Sequence, residues 1–523
     1  MSRPGAPEPD RLDSGSAAGS PPSASDDSLH HGREVHHQLR RDVVRYLPAV
    51  FLPRLAGIIT VPIFTRLFPP DVMGTYILVL ANVTALGSAF LSGFGAALLR
   101  FLPEREGDPE ERSRLATTLF ALSAAAVLAV VLVGGAVLLV TGRTAKPFGR
   151  LMILGLLLFA FTGALQLALM ALRSQRQVGR YTTIQLVSGY GGLGVGLVLV
   201  LVFHTGIEAL LIGSILAALA GIGLAWRPAM QGRALGPRHF SAGLARELLG
   251  FSFFISVGNA AYWLLSLSDR WLLRIFRGAG DVGLYGVSYD VTSKTIMLFV
   301  TAFGLALQPL SIAAWEARGR EATEEFLASS TRTYLLIMLP ATVGLGLLAN
   351  TLVALLAAPA YRPGAIVVPF VAAAMFLYGL LDIAGRGLTL NKRPDLEARN
   401  FLIAGGVSLG LNFLLVPRFG ILAAAFVTAL GYLTLLLLHA ASVRRHVRWR
   451  FPWLTLLKSG AACLAMSVVV VAVRDALVHA PRGIDVVAAV ASGAATYGAA
   501  VMALGELSPT RAWHALTSAL RPT

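Results

Sequence analysis

Fourteen apolar stretches, most of them long enough to cross a bilayer, follow one another from Val43 to Leu504 with short polar connections between them. They run roughly 43–66, 74–100, 115–140, 150–172, 181–203, 207–226, 248–273, 284–313, 333–356, 364–386, 400–416, 419–441, 453–472 and 484–505. Inside hydrocarbon every backbone N–H and C=O must find its partner within the protein. Such a chain therefore crosses as α-helices or as a closed barrel. Barrel strands are short segments of alternating polarity, and these stretches do not alternate. The expected fold is an all-α polytopic membrane protein of about fourteen transmembrane helices, bathed in membrane lipids. Two pairs, 181–226 and 400–441, are joined only by "HTG" and "PRFG". Fusing either pair would give a helix too long for a bilayer at about 1.5 Å per residue. Composition agrees: 55% of residues are hydrophobic, 14% are charged, and the mean hydropathy is +0.69, outside the soluble range.

The net charge of +16 would suggest nucleic acid in a soluble chain. Here the cations gather in alternate loops. Arg100, Arg105, Arg112 and Arg114 share one loop, and Arg444, Arg445, Arg448 and Arg450 another. In the loops between, Arg66, Arg362 and Arg418 each stand alone. The positive-inside rule places both termini in the cytoplasm and leaves no role for nucleic acid. Residues 1–42 include "RPGAPEPDRLDSGSAAGSPPSASDDS" and read as a disordered tail without the apolar core of a signal peptide. Cys463 is the only cysteine and cannot close an internal disulfide. The longest outer connections, around Thr141–Arg150 and Val473–Gly483, are about ten residues, too short for a catalytic domain. The sequence shows no metal-ligand cluster and no nucleophile constellation. "GLGVG" lies inside an apolar stretch, without the strand a dinucleotide site needs. No cofactor is expected, and the chain reads as a transporter rather than an enzyme.

An internal repeat shapes the domain reading. "RLFPPDVMGTY" from Arg66 and "RIFRGAGDVGLY" from Arg274 both begin Arg-apolar-Phe, then give Asp-Val, a Gly, one residue and a Tyr. A fainter match pairs "FHTGIEALL" from Phe203 with "PRFGILAAA" from Pro417. The offsets are 208 and 214 positions. The expected layout is a tail (1–42), a six-helix N-lobe (43–226), a cytoplasmic linker (227–247), a six-helix C-lobe (248–441), and two extra helices with a C-terminal tail (442–523). Both copies start on the same side, so the repeat is parallel about an axis along the membrane normal and suits alternating access.

Several segments resemble the oligosaccharide flippases of polysaccharide biosynthesis, within the larger superfamily of multidrug, oligosaccharidyl-lipid and polysaccharide exporters. "SDRWLLRIFRGAGDVGLYGVSYDVTSK" is similar to their seventh-to-eighth helix region, "LNFLLVPRFGILAAAFVTALGY" to their eleventh and twelfth helices, and "FTRLFPPDVMGTY" to their first outer loop. The resemblance implies a flippase that moves an undecaprenyl-pyrophosphate-linked oligosaccharide across the bacterial inner membrane, working beside a polysaccharide assembly machinery. An ion-coupled drug extruder of the same superfamily, or a membrane glycan polymerase or ligase, are the alternatives.

Charges within spans cost about 2.5–3.5 kcal/mol each on insertion scales and usually face a cavity or a partner. Arg54 lies 12 residues before Arg66, hence roughly 18 Å deeper. Its span offers no carboxylate, and Pro48, Pro53 and Pro62 interrupt its hydrogen-bond ladder. A bent helix with a free cation suits a phosphate-receiving cavity. In "WLLSLSDRWLLRIF", Asp269 and Arg270 sit at a depth similar to Asp290 and Lys294 of the next span. The four could neutralise one another or form a polar wall with an acid able to bind a coupling ion. Asp382 and Arg386 form an i, i+4 pair, with Asp382 a third ion-coupling candidate. The substrate-binding candidates are therefore Arg54, Arg270, Lys294 and Trp263, which with Tyr262 could stack on sugar rings. The spacings Gly192/Gly196 and Gly406/Gly410 suggest close helix packing, and Asn82, Gln166 and Gln185 suggest polar contacts between helices.

Overall fold

A computed structural model describes residues 57–506, apart from 106, 143, 176, 232, 233, 392, 445, 446 and 478–481. Arg54, Pro48, Pro53 and the 1–42 tail lie outside the described residues. Among those described there are helices and turns but no strands. The chain is a multi-pass membrane protein. Its helices are α1 (Gly57–Leu67), α2 (Pro70–Phe90), α3 (Ser92–Phe101), α4 (Pro109–Val140), α5 (Pro147–Ser174), α6 (Val178–Phe203) and α7 (Glu208–Ala229). They continue as α8 (Ala242–Phe276), α9 (Ala279–Leu347), α10 (Ala349–Leu356), α11 (Val368–Leu390), α12 (Pro394–Val443), α13 (Trp453–Ala476) and α14 (Arg482–Ala503).

Eleven of these are long and apolar enough to cross a membrane, and two cross twice. At 69 residues α9 would extend about 100 Å if straight, far beyond a bilayer. It turns back at Gly319, whose φ of 69° and ψ of −150° suit only glycine. The Phe303 and Tyr334 rings, 16 residues before and 15 after that turn, meet at 5.4 Å. In the same way α12 reverses at Gly420 (φ 57°, ψ −132°), and Asn400 Nδ2 donates to Ser442 Oγ across the hairpin. Counting α9 and α12 twice gives thirteen of the fourteen expected crossings, and α1 is the described end of the first, whose remainder lies outside the described residues. One span differs from its sequence reading: 74–100 is broken at Leu91 into α2 and α3. Beyond the break Gly93 lies against the Ser252 backbone of α8, where a Cβ would stand 2.8 Å from Ser252 Cα.

Helices α2–α7 pack among themselves, as do α8–α12, and the two groups meet chiefly along α2 and α9 and along α2, α3 and α8. At one end of the molecule the groups touch backbone to backbone. A Cβ at Gly74 would run into the Ala279 carbonyl and stand 2.6 Å from Gly283 N. A Cβ at Gly283 would run into the Pro70 carbonyl and stand 2.7 Å from its carbon. Around this contact Tyr361 Oη donates to Phe68 O at 2.7 Å, Ala358 N donates to Thr65 Oγ1 at 3.1 Å, and Trp271 Nε1 donates to Asn82 Oδ1 at 2.9 Å. A buried apolar cluster that joins Phe64, Phe68 and Met73 to Val353 and Val368 surrounds these bonds.

Elsewhere the chain is fixed by specific polar contacts. The connection before α8 is held to α4, where Ala234 N and Ser241 N donate to Ser113 Oγ and Thr118 Oγ1. The α13–α14 hairpin docks on the second half of α9. There Glu506 accepts from Arg332 and Thr455 and forms an ion pair with Lys458 at 3.4 Å. Cys463 is buried and free on α13.

The glycine motifs divide. Gly192 and Gly196 abut α7, where a Cβ would stand 3.1 Å from Ser214 Cα and 3.0 Å from Leu210 Cα. Gly406 and Gly410 face open space, which corrects the expectation of close packing there. The inward face of that half of α12 is one position away, at Gly405, Ser408 and Asn412. Trp226 is exposed, as an interface anchor would be. Trp449 instead turns inward and donates from Nε1 to Thr331 Oγ1 at 2.9 Å.

Candidate functional site

Asp269 and Arg270 sit near the end of α8, in a stretch that also carries Ser266 and Ser268. The pair is packed inside the second helix group. Asp269 is 1% exposed and Arg270 7%. The Asp269 carboxylate accepts from Tyr285 Oη, from Thr428 Oγ1 at 3.3 Å and from the Arg270 backbone N–H. Arg270 Nη1 lies 4.0 Å from Asp269 Oδ1 and donates to Ser266 O at 2.8 Å. The guanidinium stacks over Tyr289, 4.6 Å from the ring centroid, and reaches Tyr285 at 5.8 Å. Its Nε is buried without a partner. The acid and base balance in charge, and desolvated ion pairs of this kind persist only when hydrogen bonds complete them.

Asp290 and Lys294 form a separate pair one helix on. Lys294 Nζ donates to Asp290 Oδ2 at 2.8 Å, and both side chains are about one-third exposed. The four charges thus divide into two pairs, each within one helix, rather than a single mutual cluster. Lys294 also bridges the helix groups, since its Nζ lies 2.9 Å from where a Cβ on Gly57 of α1 would be. Gly57 is three residues beyond Arg54 in the sequence. Asp382 and Arg386 form the expected intrahelical pair, with both carboxylate oxygens 2.9 Å from Arg386 Nη2. Asp382 faces α9, where a Cβ on Gly304 would stand 3.1 Å from its Oδ2. Half-buried Trp263 meets Tyr262 edge-on at 5.7 Å, and Tyr262 meets Phe401 at 5.8 Å.

Sequence reasoning missed Tyr285, Tyr289 and Thr428. The tyrosines carried a signal, an i, i+4 pair opening the helix after Asp269. Thr428 carried none, being 159 residues from the acid it touches. Gln166 and Gln185 do not pair with each other but line a cavity of ≈ 730 Å³ between α2, α3, α5, α6 and α7, with Thr84, Ser88 and Arg173. Among the described residues no group of His, Cys, Asp and Glu has the geometry of a metal site.

Residues 39–315 match the family model described as polysaccharide biosynthesis protein. The chain belongs to the polysaccharide biosynthesis protein family. The match ends before the second half of α9, so Asp382, Arg386 and Thr428 lie outside it. A family relative, the probable low-salt glycan biosynthesis flippase Agl15 of Haloferax volcanii, is 27% identical over 290 residues, which is 55% of this chain and 60% of that protein. An uncharacterized membrane protein of Methanocaldococcus jannaschii, MJ1068, is 27% identical over 37% of this chain and 38% of its own length. The chain therefore spans less than two thirds of the curated relatives it matches. Among solved structures, the lipid II flippase MurJ in an inward closed conformation superposes with a TM-score of 0.72 at 14% identity, over 88% of this chain and 98% of that one. An inward-facing MATE multidrug transporter superposes at 0.57 with 12% identity, over 77% and 93%. These likenesses show that the chain shares its fold with both transporters.

Proposed function

We propose that this protein is a flippase, not an enzyme, that carries a lipid-linked oligosaccharide across the cell's inner (plasma) membrane by alternating access, with both termini in the cytoplasm. The observation that carries the reading is the placement of Lys294. Its ammonium lies against Gly57, where the two helix groups meet, and Gly57 is three residues from Arg54 in the sequence. A hydrated glycan with an anionic phosphate anchor needs cations between two moving bodies while its prenyl tail stays in lipid. Family membership supports the same reading.

The moving bodies are the two lobes of the parallel repeat, residues 43–226 and 248–441. The reciprocal contact of Gly74 and Gly283 supports this. They are equivalent positions of the two motifs, and each meets the carbonyl four residues before the other. Such self-complementary contact is what a two-fold relation produces. The alternating arginines assign this joined end to the outside, so the conformation is closed toward the outside. Arg54 and Lys294 hold the pyrophosphate of an undecaprenyl-linked substrate, with Arg270 and Trp263 contributing on the C-lobe side. Asp269, held by Tyr285 and Thr428, is the leading ion-coupling group; Asp290 and Asp382 are further candidates. Polysaccharide assembly enzymes are the partners that would supply and consume the substrate.

The test is restoration of surface polysaccharide in a deletion strain, read beside a membrane immunoblot. Arg54→Ala and Lys294→Ala are expected to abolish export at normal abundance, and Arg54→Lys to keep part of it, because a point charge replaces a planar fork. Full export by both alanine variants at normal abundance would overturn the proposed substrate site.

A further inference from the structure

A basic pocket of ≈ 620 Å³ lies at the end of the first helix group that the arginine pattern assigns to the cytoplasm, far along α6 and α7 from the Gly74–Gly283 contact. Arg180 and Thr183 of α6 face Leu224, Arg227 and Gln231 from the end of α7, with Ile184 at its floor. Among the described residues that line it there is no acid. Exposed arginines usually wander, but Arg180 is braced. Its Nη1 donates to Gln177 Oε1 at 2.8 Å, Gln177 Nε2 donates to Gln175 Oε1 at 2.6 Å, and Gln175 Nε2 donates to Ala229 O at 3.3 Å. This chain of amides fixes the guanidinium over the end of the helix that carries Arg227. Beside the pocket Leu224 is 54% exposed and Trp226 is 42% exposed. The Trp226 ring rests edge-on against Phe120 at 5.8 Å, so its outer face is free to mark the headgroup level.

We infer that this pocket binds the headgroup of an anionic phospholipid of the cytoplasmic leaflet. The two guanidinium forks match the oxygens of a phosphodiester. The exposed Leu224 side chain above the Ile184 floor offers a place for the first acyl carbons, which a free anion would not need. Basic pockets between transmembrane helices on this side of a membrane are where such headgroups are held. The site is separate from the Asp269–Arg270 and Lys294 groups, and its test does not depend on what the protein transports.

The experiment is lipid titration of the purified full chain in neutral detergent, read by native mass spectrometry and by thermal unfolding. The probes are phosphatidylglycerol, phosphatidylcholine and inorganic phosphate. Phosphatidylglycerol is expected to bind and to raise the unfolding temperature, whereas phosphatidylcholine and inorganic phosphate do neither. The double variant Arg180→Gln/Arg227→Gln should bind phosphatidylglycerol roughly thirtyfold more weakly, for two lost charges near the surface. The control variant Arg238→Gln/Arg246→Gln, in exposed arginines elsewhere on the same side, should bind like the wild type. If the glutamine pair unfolds at a lower temperature without lipid, Arg180→Lys/Arg227→Lys decides, and it should retain part of the binding. Unchanged binding by the glutamine pair, an equal loss in the control, or stabilisation by inorganic phosphate equal to that by phosphatidylglycerol would each overturn the inference.

Discussion

Substituting Gly74 or Gly283 should shift the protein between its two access states rather than simply weaken it. A Cβ on Gly74 would stand 2.6 Å from Gly283 N, and one on Gly283 2.7 Å from the carbonyl carbon of Pro70. Ordinary contact for a Cβ begins near 3.4 Å, and the Ala279 and Pro70 carbonyl oxygens lie nearer still than these atoms, so α2 and α9 must separate by about 1.5 Å. Neither obstacle is the end of a flexible side chain that could swing aside. Overpacking of this kind costs about 1–3 kcal/mol. If the helices part in the opposite state, only the closed-outside state bears that cost. A penalty in the middle of that range moves the equilibrium about thirtyfold toward the state open on the outside. The assay is a spin-label distance between cysteines at Arg150 and Arg362, exposed positions at this end on opposite helix groups. It is done in a Cys463→Ala background, since Cys463 is the only native cysteine. Gly74→Ala and Gly283→Ala should each lengthen the dominant distance while the protein remains folded and monodisperse. An unchanged distance distribution with a lowered unfolding temperature would refute the reasoning, because the contact would then be present in every state.

Asp269→Ala should reduce membrane abundance, since an uncompensated buried Arg270 costs about 3–5 kcal/mol; Asp269→Asn/Arg270→Gln should restore abundance on an immunoblot without restoring export. Gly213→Ala should lower the unfolding temperature, because its Cβ would stand 2.5 Å from Gly196 N, whereas Gly406→Ala, facing open space, should leave it unchanged. Outside the membrane spans, burial pushes the Glu324 carboxyl up, but the Arg448 backbone N–H and the Arg320 and Arg450 guanidiniums outweigh it and hold it below its ordinary value. The stability it contributes is therefore present above the usual carboxylate range and lost as pH falls through it. Thermal unfolding scanned across acid pH should show that loss in the wild type and a smaller one in Glu324→Gln.

The crossings were legible in the sequence because the bilayer imposes a length on each apolar run, whatever the tertiary structure. The hairpin in α12 was legible for the same reason, since "PRFG" sits where a single helix would become too long. The break at Leu91 was not legible. No proline or charge marks it, and what accompanies it is the close approach of Gly93 to α8. Charge pairs at i, i+4 followed from helix geometry alone, so Asp290–Lys294 and Asp382–Arg386 could be read directly. The enclosure of Asp269 could not, because Thr428 reaches it only after α12 packs on α8. The glycines of α12 show a further limit. A four-residue spacing says that Gly406 and Gly410 share a face, but nothing local says that the buried face is the adjacent one.

The most direct measurement of the central claim is transbilayer movement of a lipid-linked oligosaccharide in vesicles reconstituted with the purified protein. A fluorescent oligosaccharide on an undecaprenyl pyrophosphate carrier is placed in both leaflets, and its exposure is followed with an impermeant quencher. Wild-type vesicles should expose nearly all of the probe over time. Vesicles without protein, and those with Arg54→Ala, should stop near one half. Equal, incomplete exposure with wild-type protein and with none, while a small organic cation is transported, would contradict the flippase reading and favour a drug extruder on the same fold.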